Sequence, residues 1–114
     1  MAYSEFLADN ISRVLLSKNV TFVEKKMMGG LAFMVDDKMC VGVTRDDMMV
    51  RVDPEIYESV VGTKESREMD FTGRAMRGFL FVGPAGTEDD LTLTYWIDLA
   101  LEYNPRAKSS KRKK

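Results

Sequence analysis

Histidine is absent from this 114-residue chain, and cysteine occurs once. The first absence removes Ser-His-Asp and Cys-His nucleophile arrangements, helical His-Glu zinc motifs and most transition-metal sites together. The second excludes an intramolecular disulfide and any paired-cysteine metal or redox motif, in keeping with a reducing compartment. Neither G-x-x-x-x-G-K-[ST] nor G-x-G-x-x-G is present, so no phosphate-cradling loop is expected. No apolar run approaches the roughly 20 residues that span a bilayer. The N-terminal MAYSEFLADN carries acidic residues where a secretory signal needs a basic and then an apolar stretch, so the expected location is cytoplasmic, with no membrane partner.

What is there is an ordinary globular composition, 45% hydrophobic and 31% charged, in a chain long enough for one domain with one core. The domain is expected over residues 1–105. The net charge of −1 conceals a separation of sign: six of the 17 basic residues fall in 106–114, RAKSSKRKK, leaving 11 against 18 acidic ones before it, a net of −7. Such a tail cannot bury enough apolar surface to offset its ordering entropy and is expected to be disordered. Arg106, Lys108, Lys111, Arg112, Lys113 and Lys114 are candidate nucleic-acid contacts, salt-sensitive and without sequence preference; a solubilising tail that folds back on the acidic body is the plainer reading.

Three apolar runs separated by turn residues between Lys26 and Asp53 predict an antiparallel meander. Ser4 caps a first helix with apolar positions Phe6, Leu7, Ile11, Val14 and Leu15, expected to reach about Lys18. Strands follow at 20–26, 31–35, 39–43 and 48–52, joined by Gly29-Gly30, Asp36-Asp37 and 44–47. Asp53-Pro54-Glu55 predicts a helix start, with Asp as cap and Pro at the first position, running to about Val61. Residues 63–77 read as a long surface connection anchored by Met69, Phe71 and Met76. A fifth strand at 79–82 and a last helix from Thr87 to Tyr103, its first turn acidic, complete the order α-β-β-β-β-α-β-α. The fold class is α+β, two layers, with an antiparallel sheet of about five strands and helices packed on it.

Pairing Thr44 with Asp47 places Met39, Val41 and Val43 opposite Met48, Val50 and Val52, and makes one face of those strands wholly apolar. A two-residue turn at Asp36-Asp37 puts Leu31 and Phe33 on the reverse face. A three-residue turn puts Leu31, Phe33 and Val35 in the core, and Ala32, Met34, Cys40 and Met49 on the reverse. Either way both faces carry apolar groups, more than a half-solvated sheet needs. A helix or the 63–77 connection covers the second face, or else a self-dimer or partner protein does.

Chemistry-bearing candidates are few. Cys40 inside a strand reads as a packed thiol, since nothing near it in sequence lowers its pKa. The pairs Asp36-Asp37, Asp46-Asp47 and Asp89-Asp90 have structural roles in turns or at a helix start and do not match a calcium loop. Arg51, which alternates out of the core face, and Arg74 and Arg77, flanked by Gly73 and Gly78, are better placed to bind. The candidate interaction surface is Met28, Gly29, Gly30, Met49, Arg51, Gly73, Arg74, Met76 and Arg77. No catalytic, cofactor or metal residue is assigned.

Lys26-Met27-Met28-Gly29-Gly30-Leu31-Ala32-Phe33-Met34, Asp37-Lys38-Met39, Asp47-Met48-Met49-Val50-Arg51-Val52-Asp53 and Phe71-Thr72-Gly73-Arg74-Ala75-Met76 together closely resemble the N-terminal domain of the TfoX/Sxy family, over about residues 5–103. The family's usual Met-Phe-Gly-Gly reads Met27-Met28-Gly29-Gly30 here, a swap that keeps volume. The resemblance implies a two-layer α+β domain and a non-enzymatic, bacterial regulatory role. Full-length TfoX-like regulators promote expression of DNA-uptake genes in natural competence and carry a second, helical domain. With a basic tail in that place, this chain is similar to the short, stand-alone members. The expected function is a regulatory or protein-interaction domain, with a protein partner or a homodimer; the alternative is a nucleic-acid accessory protein that uses the tail.

Overall fold

A computed structural model describes residues 3–27, 29–70 and 75–107, with backbone only at Met27, Met69, Asp70 and 75–77. The first helix, α1 (Glu5–Ser17), begins where Ser4 Oγ accepts a hydrogen bond from the Leu7 amide at 3.1 Å. It buries Leu7, Ala8, Ile11, Val14 and Leu15, spaced as one stripe. Asn19, at φ 60°, turns the chain out of the helix. Four strands follow: β1 (Val23–Met27), β2 (Gly30–Val35), β3 (Lys38–Thr44) and β4 (Asp47–Arg51).

Next is α2 (Tyr57–Val60), shorter than the expected helix. Asp53 does accept from a backbone amide, that of Glu55 at 2.9 Å, but this closes a turn ahead of the helix. Ile56 is the residue at the helix boundary and makes no side-chain cap.

The segment expected to be a surface connection instead supplies β5 (Ser66–Asp70), and β6 (Ala75–Val82) starts four residues before its expected first residue. The sheet therefore has six strands, in the order β1-β2-β3-β4-β6-β5, every neighbour antiparallel. Polar Ser66, Arg67 and Glu68 form a strand because β5 lies at the sheet's edge, where tertiary pairing outweighs a weak local preference. The last helix, α3 (Asp90–Tyr103), starts later than Thr87: Asp89 caps it, accepting from the Thr92 amide at 3.1 Å, and Pro84–Gly86 forms a 3₁₀ turn before it.

The β2–β3 hairpin settles which side chains enter the core. Its turn has two residues, Asp36 and Asp37, both left-handed at φ 56° and 65°, as the twist-matched hairpin turn requires. Yet Phe33 pairs with Val41 while Met34 pairs with Met39, so Cys40 is an extra residue in the ladder. The bulge shifts the register by one and brings Leu31 and Phe33 into the core, the outcome assigned to a three-residue turn. Cys40 goes with them, contrary to its expected place on the reverse face. On the other side of β3, Thr44 pairs with Asp47, Val43 with Met48 and Val41 with Val50, as read from the sequence.

All three helices send their buried side chains into one cluster on one face of the sheet, where Leu15, Trp96 and Ile97 meet Phe33, Val41, Val43, Met48, Val50 and Leu80. Arg13–Asp90 at 3.0 Å and Lys18–Asp98 at 2.8 Å tie α1 to α3 along their exposed side.

The other face has no helix on it among the described residues. Its centre is Ala32, Gly42 and Met49, adjacent in register on β2, β3 and β4. Ala32 and Met49 are 0% and 5% exposed. Met49 folds its methyl over Gly42, so close that an added Cβ there would stand 2.7 Å from Met49 Cε.

Candidate binding surface

Alternation along β4 and β6 leaves Arg51, Phe79 and Phe81 out of the helix-side cluster, because Val50, Val52, Leu80 and Val82 fill it. Arg51 pairs with Phe79 across the strands, and its guanidinium lies 5.3 Å from the Phe79 ring centre. Arg67 on β5 pairs with Phe81 and stands 5.1 Å over that ring, while its guanidinium donates to the Asp47 carboxylate at 2.6 Å.

Arg51 ends its strand, so its guanidinium also comes within 6.0 Å of the Tyr103 ring at the end of α3. Arg106 stacks 5.4 Å over the same Tyr103 ring. Phe79, Arg51, Tyr103 and Arg106 thus alternate ring and guanidinium in one row, each contact within the range of a cation–π attraction. The Asp53 carboxylate holds the last member at 2.6 Å. That hydrogen bond, with a second from the Glu55 amide, keeps the Asp53 carboxyl below the usual carboxylate range, and the same bond pushes Arg106 up. Lys38 Nζ donates to the carbonyls of Asn104 and Pro105 at 3.1 and 3.2 Å, which fixes the turn after α3 against the β2–β3 hairpin.

Of the expected interaction surface, the members whose side chains are described, Gly29, Gly30, Met49 and Arg51, do not form one patch. Gly29 lies in an exposed turn at φ 74°, and Gly30 pairs with Thr44, at the end of the sheet away from Arg51. Met49 lies between the two ends and is buried. Met76 and Arg77 are in β6, their side chains outside the described residues; Met28, Gly73, Arg74, Lys108 and 111–114 are outside them altogether. Of the tail candidates, Arg106 is placed, and it is paired with Asp53.

Sequence reasoning missed Phe79, Phe81, Tyr103 and Arg67. The signal available was the i, i+2 pair Phe79/Phe81 inside a strand and the three-residue step from Tyr103 to Arg106. What hid it was reading Tyr103 only as the last residue of the helix and Arg67 as part of a surface connection.

Other features offer less. A half-open recess of about 500 Å³ beside β1 is lined by Phe22, Val23 and Met34 with Glu24, Asp36 and Asp37 on its walls. Cys40 is buried, and burial pushes its thiol up to about 12, only partly offset by the Arg51 charge. Among the described residues, no group of three or more His, Cys, Asp or Glu side chains is arranged to hold a metal ion, and no helix is long and apolar enough to cross a membrane.

The family model described as the TfoX N-terminal domain matches residues 15–103. The match takes in β1 to β6 and α3 with most of the sheet-end row, stopping before Arg106. No curated protein and no solved structure matches the chain.

Proposed function

Since this chain belongs to the TfoX N-terminal domain family, we propose that it is a regulatory association domain, which works in the cytoplasm by holding a partner and not by turning over a substrate. The observation that carries this reading is the one-sided placement of the helices. Among the described residues the opposite face of the sheet carries no helix, and arginine–aromatic pairs lie on it and at its Arg51 end. Planar cations laid on rings supply contact area and charge, and among the described residues no paired acid, base or nucleophile of the kind bond-making needs stands beside them. A role in the control of gene expression, as in competence, is the family-level expectation for such a domain.

The test is a pull-down from the native host with the purified chain, repeated with an Arg51→Glu/Arg67→Glu variant whose buried Trp96 fluorescence shows an intact fold. A macromolecular partner retained by the unaltered chain and lost by the variant supports association. Reproducible turnover of any substrate, abolished by a point change at an acidic or arginine side chain, overturns it.

A further inference from the structure

We infer that the outer edge of β1 is a self-association site, where a second copy of this chain pairs antiparallel with the first and joins the two six-stranded sheets into one. The sheet has two outer strands, β1 and β5, and they differ. Between Glu68 and Asp70 the β5 ladder slips register against β6, and such irregularities blunt an edge against further pairing. β1 runs straight: Val23–Met27 pairs with β2 residue for residue, without a shift. An outer strand of that kind turns alternate backbone N–H and C=O groups away from its own sheet, where a matching strand can take them.

The side chains of this edge fit a copy of the same strand. Lysines keep most strands off an edge; this one brings an acid to meet them. In a two-fold antiparallel pair facing residues share a side of the sheet, so the centre falls on a residue. Centred on Lys25, the pair sets Glu24 opposite Lys26 of the second copy, at two places related by the symmetry. Centring on Glu24 or Lys26 keeps one like-charge pair and loses both opposite ones. Lys25 meets its own copy, but it lines the recess whose other charged walls are Glu24, Asp36 and Asp37, and these offset the repulsion. Two of the large exposed hydrophobic side chains, Leu16 and Val23, also belong to this edge. Val23 is in the strand, and Leu16 stands one turn along α1 from Ser12, whose hydroxyl meets Glu24 Oε2 at 3.3 Å. A carboxylate has a second oxygen for Lys26 of the second copy. The contact does not involve Arg51 or Arg67, so it goes beyond the association reading and stands without it.

Sedimentation equilibrium of the full chain across micromolar concentrations tests this, with fluorescence of the buried Trp96 as the check on folding. A monomer–dimer equilibrium is expected. Glu24→Lys and Lys26→Glu each place like charges opposite one another at both positions, and each is expected to weaken the dimer about tenfold. Both residues are exposed, so neither change disturbs the core. The double exchange, Glu24→Lys with Lys26→Glu, returns opposite signs to the pair and is expected to recover the dimer. Mixing the two single variants is expected to do the same, because each then faces the charge it lacks. The inference fails if the full chain stays monomeric, if either single variant dimerises as well as the unaltered chain, or if the double exchange is no stronger than the single ones.

Discussion

At the scale of single residues, burial and backbone contact set the reactivity and the tolerance of two neighbours on β3. The Cys40 thiol, pushed up to about 12, stays protonated at any pH at which the protein is handled, and the thiol form is a poor nucleophile. A disulfide reagent at pH 8 is expected to leave the native chain unmodified and to label one thiol in denaturant; fast native labelling would contradict the packing described. Gly42 is constrained by its neighbours on both sides. A Cβ there would meet Met49 Cε at 2.7 Å and the Leu31 carbonyl oxygen at 2.8 Å. Methionine can swing away, but the carbonyl belongs to the adjoining strand and cannot. Gly42→Ala is therefore expected to cost about 1–3 kcal/mol in urea unfolding, and adding Met49→Ala is not expected to restore it.

Among the elements, the β2–β3 hairpin shows how much the sequence discloses and where it stops. Alternating apolar runs and acidic turns located β2, β3 and β4 to within a residue or so, because strand period and turn chemistry are local properties. The extra residue at Cys40 is not local: it is fixed by which side chains Phe33 and Leu31 must meet on the helix layer. The same holds for β5, whose polar Ser66-Arg67-Glu68 carries no strand period and is a strand only by pairing with β6. The sheet-end row was half legible. Arg51 stood out by alternation, whereas its meeting with Tyr103 joins a strand end to a helix end 52 positions later in sequence, and no spacing records that. The turn itself makes a prediction. Asp36 and Asp37 both hold left-handed backbone, where glycine is strain-free and asparagine better tolerated, so replacing the pair by Asn-Gly is expected to raise the urea midpoint, the relieved strain outweighing the entropy glycine adds to the unfolded chain. A lowered urea midpoint would show that the acidic pair does more than turn the chain.

For the molecule as a whole, the contact between Asp53 and Arg106 links stability to acidity. Its sign follows from the direction of the shift: Asp53 is held below the usual carboxylate range in the folded chain, so its contribution is complete above the unfolded value of roughly pH 4 and fades as pH falls through the lower folded one. The gap in denaturation midpoint between the native chain and Asp53→Asn is expected to be constant near neutrality and to close in acid. A gap that persists at pH 2 would trace the loss to shape and not to charge. Tyr3 and Arg106 are also held at opposite ends of the sheet. Tyr3 bridges to Arg45 beside the Gly30–Thr44 edge, while Arg106 is clasped by Asp53 beyond Arg51. Anything grafted ahead of Tyr3, whether a fluorophore, a surface anchor or another protein, hangs off the end remote from the stacked arginines. The same cargo joined directly after Ala107 would crowd them.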